Sequence, residues 1–285
     1  MAHGRRMTSG PRAVRFGDRP AAGGARWLRA IPRALNSDTL RIGALSVGAG
    51  LVLWHVASTI WLVSILFPSP LATGRAWVEM LLGGDLLYHV GVSLLRIAIG
   101  FVIGTAIGIP IGLCIGLFRP IRVFLEPFVQ FFRFVPPIAW IVPAILWFGI
   151  GETSKIFLIF YTSVFLVLLN TAAGVASIPR NQLRAARTFG ANPAQLFLWV
   201  SLPATMPYVI TGMRLAMGNS FVAVVGAEFI AAEAGLGWLI TESGAWMATE
   251  RMFAAMLTLG VLGMVADRVF RGVVGRWGSR FLIRA

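Results

Sequence analysis

Lysine occurs once in this chain, at position 155, and cysteine once, at position 114. Acidic residues number 11 and histidines 3 among 285 residues. Each scarcity removes a class of function. A single cysteine forms no intrachain disulfide, and Cys114 lies in an apolar run where it reads as a small core residue. No His, Cys or carboxylate cluster has the spacing of a metal site. A phosphate-binding loop needs Gly-Lys followed by Ser or Thr, whereas Lys155 stands between Ser154 and Ile156. No catalytic constellation is visible, which argues against a membrane-anchored enzyme.

Charge is scarce as well. Only 13% of residues are charged against 57% hydrophobic, where a soluble domain carries about a quarter charged. Charges are missing altogether from 42–74, 97–118, 134–151, 156–179, 215–227 and 252–266. A bilayer core needs about 20 apolar residues per helix, and backbone polar groups in lipid must pair internally. Continuous apolar runs without alternation exclude a β-barrel. The chain reads as an all-α polytopic membrane protein with about six transmembrane helices, at 42–61, 98–118, 134–150, 156–176, 207–230 and 252–268.

The net charge of +14 does not point to nucleic acid, because the arginines sit between the apolar runs, as topology determinants do. The segments before span 1, between spans 2 and 3, between 4 and 5, and after 6 hold most of them. The opposite side holds Arg75, Arg96, Lys155 and Arg251 together with most of the acids. Both termini are therefore expected in the cytoplasm, with 41–285 as the transmembrane domain. Residues 1–40, rich in Arg, Gly, Ala and Pro, read as a disordered basic tail near anionic lipid, in preference to an organelle leader. The stretch 67–95 is too polar to span and suits a loop and an outer amphipathic helix. The stretch 231–247 suits an outer loop or a shallow re-entrant piece.

The most informative segment is Ser177 to Pro207, SIPRNQLRAARTFGANPAQLFLWVSLPATMP. Pro179 suits a first helical turn and Gly190 a helix stop. Asn192-Pro193 then reads as an N-cap and first turn of a second short helix, ending towards Pro203. On the first helix Arg180, Arg184 and Arg187 share one stripe, and Gln182, Ala185, Ala186 and Phe189 the other. Two readings stand from the residues alone: a knob that enters a partner's groove, or a basic loop resting on lipid phosphates.

The spacing Ala185-Ala186, Gly190, Val200, Leu202-Pro203 resembles the coupling loop of ATP-binding-cassette importer permeases. The family's usual Glu at the first motif position is replaced here by Arg184. Further stretches resemble the subgroup that imports nitrate, sulfonates, taurine, bicarbonate and related solutes. They are Phe134–Pro143, Leu146–Gly151 with Ser154-Lys155, Leu202–Pro207, Thr211–Leu215, Ala227-Glu228 and Gly235–Ile240. The resemblance covers roughly Ser93 to Arg268.

It implies a MetI-like permease fold whose coupling helix, within 177–203, docks on the ATPase through Arg184, Ala185, Ala186, Phe189, Gly190, Leu202 and Pro203. It also implies a bacterial inner-membrane location and a second permease copy. Two ATPase subunits would carry ATP and Mg, with no cofactor in this chain, and an outer solute-binding protein would deliver a small anionic solute.

Within the spans, Pro136, Pro137 and Pro143 should kink the third, as a pathway wall or as a packing kink. Trp140 lies among them. Asn170, Asn219 and Ser220 need hydrogen-bond partners, most commonly on another helix. Arg214 either faces an anion or snorkels. Glu228 either anchors at the outer interface or serves the pathway. The alternative function, an ion-coupled secondary transporter, predicts paired intramembrane acids or histidines and inverted repeats, and the spans hold almost no mid-membrane carboxylate.

Overall fold

The computed structural model describes residues 37–61 and 66–282; the expected tail at 1–40 lies almost wholly outside them. Among the described residues every regular element is helical. In the first unit, helix α1 (Ser37–Val56) is apolar, and its window Arg41–Ile60 has a mean hydropathy of 1.5.

The second unit begins near His55 and holds the remaining helices. These are α2 (Pro70–Leu82), α3 (Asp85–Leu117), α4 (Arg119–Phe132), α5 (Ile141–Phe148) and α6 (Glu152–Ala176). There follow α7 (Arg180–Thr188), the single turn α8 (Pro193–Gln195), α9 (Leu202–Ala231), α10 (Leu236–Ala245) and α11 (Thr249–Leu282). Among the described residues five helical stretches are long and apolar enough to cross a membrane, or six if one bent pair counts as a single span.

The core is organised by glycine. Gly100, Gly104, Gly108, Gly112 and Gly116 recur every four residues along one face of α3, against Ile159, Ser163, Val167, Thr171 and Val175 of α6. A methyl group added at Gly100 or Gly104 would lie 2.6 Å from Ile159 Cβ or Ser163 Cβ. One added at Gly112 would lie 2.6 Å from the Leu168 carbonyl. The backbones thus meet at a distance only glycine permits, the close approach that small residues at four-residue intervals give membrane helices. Both series advance in the same direction, so α3 and α6 are parallel. Helix α9 packs antiparallel on another face of α6: Gly174 lies under Tyr208 and Thr205, and Gly212 under Asn170. The fully buried Ser163 and Ser220 hydroxyls join α6 to α9 at 3.0 Å.

Parallel packing of α3 on α6 requires the chain between them to recross the membrane. The expected third span at 134–150 does not do this alone. Its ordered part, Pro137–Phe148, begins with a 3₁₀ turn (Pro137–Trp140) and is 12 residues long, about 18 Å at the α-helical rise, against a hydrocarbon core of about 30 Å. The crossing is shared with α4, at an angle of 92°. The bend comes just before Pro136, which has no N–H to continue the α4 ladder, and the Phe132 carbonyl accepts the Val135 N–H at 3.0 Å in a closing turn. That carbonyl also accepts the Tyr161 hydroxyl of α6.

Arg119 and Arg122, expected in a loop, are in α4. Arg122 caps α3 by donating to the Ile115 and Gly116 carbonyls at 3.0 and 2.7 Å, where a cation also meets the negative end of the helix.

Three boundaries differ from expectation. Helix α3 starts at Asp85 rather than near 98, so the separate helix within 67–95 is α2 alone, capped by Ser69, whose hydroxyl accepts the Ala72 N–H at 3.2 Å. The stretch 231–247 contains the packed helix α10, with Leu236 and Leu239 buried against Met80, Leu86, Ala254 and Ala255. The second short helix does not end towards Pro203. From Pro193 it passes through a π-turn (Leu196–Ser201) directly into α9. The wide turn precedes Pro203, whose ring would clash with the Trp199 carbonyl of an ordinary α-turn.

The glycine contacts predict a sharp contrast. Gly112→Val should cost about 3 kcal/mol or more, at the upper end of overpacking penalties, and should lower the thermal midpoint of the purified protein in detergent. Gly91→Ala, on the same helix with open space at its Cβ, should leave it unchanged.

Candidate functional site

Two features stand out at opposite ends of the bundle. At the end where α6 stops, α7 forms a short projecting arm. Pro179 precedes its first residue, and its end is a Schellman motif. The Ala191 N–H donates to the Ala186 carbonyl at 3.1 Å and the Gly190 N–H to that of Arg187 at 2.9 Å. Gly190 takes φ +81°, open to glycine and costly to other residues. Asn192 and Gln195 then form a reciprocal capping box.

The arm is anchored on one side only. Leu183 packs with Phe197 and Leu202 on a cluster of Leu113, Val175 and Ile178. Arg180, Arg184, Ala185 and Arg187 are exposed, Ala186 is half-buried, and Phe189 at the tip is 90% exposed. Leu202 and Pro203 are half-buried where the arm's second limb enters α9.

At the other end lies a buried ionic cluster. Arg96 of α3 donates from Nε and Nη2 to the two Glu152 oxygens at 2.5 and 2.6 Å. Its Nη1 donates to Glu228 Oε1 at 2.7 Å and to the Ala234 carbonyl at 2.6 Å. Lys155 Nζ adds a contact of 3.0 Å to Glu152 Oε1. The Glu228 side chain has no solvent exposure and Arg96 only 4%, whereas Glu152 is 57% exposed.

Glu228 also accepts the Ser93 hydroxyl at 2.8 Å and the Gly237 N–H at 2.8 Å. Ser93 accepts the Leu236 N–H, and His89 Nδ1 that of Gly235, at 2.8 and 3.1 Å. Gly235 has φ +123°, and a Cβ there would strike the Glu228 carboxylate. The turn into α10 is therefore wrapped around one carboxylate, with nearly every polar group satisfied.

The remaining intramembrane residues are dispersed. Arg214 pairs with Asp267 of α11 through two hydrogen bonds, at 2.6 and 3.2 Å, and both are partly exposed. Asn170 and Asn219 donate within their own helices, to the Leu166 and Leu215 carbonyls at 2.8 and 3.0 Å. Asn219 is exposed on α9 beside Leu215, Gly218 and Val222. Pro136 is exposed and Pro137 half-buried at the bend. Trp140 lies among Trp147, Phe157 and Tyr161, with ring centroids 5.4 to 6.3 Å away.

Residues 104–278 match the family model described as binding-protein-dependent transport system inner membrane component. The chain belongs to this family. It is an ABC importer permease, a multi-pass membrane subunit that transports rather than catalyses.

It is similar to the Taurine transport system permease protein TauC of Escherichia coli (strain K12), at 34% identity over 84% of this chain and 88% of that one. It is also similar to the Putative aliphatic sulfonates transport permease protein SsuC of the same strain, at 37% identity over 80% and 88%. A solved structure of the MetNI methionine ABC transporter shares the fold, with a TM-score of 0.55 and 19% identity. The likeness covers 67% of this chain and 97% of that one.

Sequence reasoning placed Glu228 at the end of a span without its partners, and left Arg96 and Glu152 as loop charges. The signal was the stripe His89, Ser93, Arg96, Gly100, Gly104, all on one helical face. Asp267 was likewise missed as the partner of Arg214.

Removing Glu228 strands the Gly237 N–H and takes one of Arg96's two carboxylates, and losing one partner of a buried pair costs about 3–5 kcal/mol. Glu228→Ala should therefore reduce the yield of folded permease on size-exclusion chromatography. Arg214→Ala, at a half-exposed pair worth under about 1 kcal/mol, should not.

Proposed function

We propose that this permease pairs with a second copy and moves a small anionic solute of the sulfonate, taurine or nitrate type. In this reading two ATPase subunits, holding ATP and Mg, dock on the α7 arm. A solute-binding protein docks at the end bearing the ionic cluster, and both termini are cytoplasmic. The similarity to taurine and sulfonate permeases supports the solute class. The distribution of arginines supports the orientation.

The observation that carries the coupling role is mechanical. The exposed Phe189 tip is joined to α9 through a Schellman motif, a capping box and continuous helical backbone, and Leu183 braces it against α3 and α6. A force on Arg184, Ala185, Ala186, Phe189 or Gly190 thus reaches α9 through Leu202 and Pro203. Alternating access needs such an element, with two positions that ATP binding biases.

Thr211, Gly218 and Asn219 give α9 an exposed small and polar stripe that would line the path where two copies meet. Arg214 borders that stripe, and Pro136 and Pro137 shape the neighbouring bend. Asn170, Trp140 and Glu228 act from behind the wall, Glu228 by fixing the turn into α10.

Gly190→Val places a β-branched residue at φ +81°, a strain of about 1–3 kcal/mol. Membrane insertion should be retained while binding-protein-stimulated ATP hydrolysis falls about tenfold or more, as RT ln 10 is about 1.4 kcal/mol. Unchanged stimulation in the variant, or no ATPase copurifying with the wild type, would refute the docking role. Arg184→Glu, which restores the family's usual residue, should be tolerated or should strengthen ATPase retention. A large loss of coupled hydrolysis would show instead that this permease and its partner are matched to the basic residue.

A further inference from the structure

The ionic cluster forms part of the wall of a cavity of about 670 Å³. Tyr88, Val92, Leu95 and Ile150 give the cavity apolar surface, and Arg96, Glu152, Lys155 and Glu233 give it charge. A volume of this size is within the range of small-molecule sites.

The two cations are 94% or more buried at their side chains, and the one carboxylate they share, Glu152, is the exposed member. Glu152 receives three N–H donors from two buried cations, at 2.5, 2.6 and 3.0 Å. It is also the first residue of α6, at the positive end of that helix. The other carboxylate on Arg96, Glu228, is locked into the α10 turn and does not leave.

We propose that Arg96 and Lys155 form an oxyanion-binding subsite for the solute headgroup, with the Glu152 carboxylate as a built-in occupant that the arriving anion displaces. This rests on the reading above that the solute is anionic and arrives at this end. Displacement turns Glu152 into the cavity opening and leaves a tetrahedral or planar oxyanion with the same three donors. Such charge-assisted donors pair strongly with sulfonate or carboxylate oxygens. The apolar wall accommodates a short alkyl chain. Glu233 on the same wall disfavours doubly charged anions and suits a headgroup bearing an ammonium at its other end.

The test uses the full-length permease with its copurified ATPase in lipid nanodiscs, without binding protein. Methanesulfonate is titrated by calorimetry, with dimethyl sulfone as the uncharged control of similar shape. Glu152→Gln removes the competing charge and should bind methanesulfonate about tenfold more tightly than wild type. Adding Lys155→Ala should abolish that gain, and Lys155→Arg should retain it, which separates loss of the cation from loss of the fold. Dimethyl sulfone should bind none of these proteins.

Equal affinity in wild type and Glu152→Gln, or no binding to either, overturns the subsite. It is also overturned if methanesulfonate titrations are flat while Glu152→Gln and Lys155→Ala weaken docking of the binding protein, since the cations then serve a carboxylate of that protein. ATPase copurification, scored on the same preparation, tests the importer reading separately.

Discussion

Backbone contact between α3 and α6 is the constraint on which the second unit is built. In a lipid environment, apolar side chains gain little by leaving one apolar neighbour for another, so helix association depends on dense packing and on polar groups finding partners. The five glycines from Gly100 to Gly116 of α3 supply the first condition by removing side chains from one face. The proximity then makes the second attainable. Ser163, opposite Gly104, lies close enough to α9 to share its hydroxyl with Ser220. Because the pairing is parallel, it also dictates the return crossing through α4 and α5, and with it the bend at Pro136.

The same face of α3 continues upward into charge. Past Gly100 the stripe becomes Arg96, Ser93 and His89, and the packing problem changes from filling space to satisfying donors. A buried Arg–Glu pair is not stabilising merely because the charges are opposite, since desolvation offsets much of the attraction. Here the residual hydrogen-bonding capacity of both groups is consumed by backbone: the Ala234 carbonyl on Arg96 and the Gly237 N–H on Glu228. The cluster therefore acts as a positional device, fixing one conformation of the turn between α9 and α10.

Long apolar stretches without charge were sufficient to read the helical class and five of the expected spans, with the remaining one a bent pair of helices. The arm between α6 and α9 was legible down to its stop at Gly190 and its cap at Asn192, because those signals are local. What escaped was set by contacts between helices. Nothing local at Pro136 says that the crossing is shared with α4, or that Tyr161 donates to the Phe132 carbonyl. Nor does Glu228 identify Arg96, 132 positions away, as its partner. The four-residue glycine period was present in the sequence, but its meaning depended on knowing which helix it faced. Pro203, which reads as a terminator, is instead absorbed by a widened turn that keeps the helix continuous.

That widened turn sets an angular relationship. The residues between Leu196 and Ser201 fix the rotational phase of the Phe189 tip with respect to the small, polar stripe of α9. Each α-helical residue subtends about 100°, so a change of a single residue in this turn would swing the tip to a different side of the helix axis. The geometry of the arm is consequently set by length as much as by chemistry: in this six-residue coil of looser pitch an insertion neutral in side-chain chemistry would still turn the Phe189 tip away from its present side of α9.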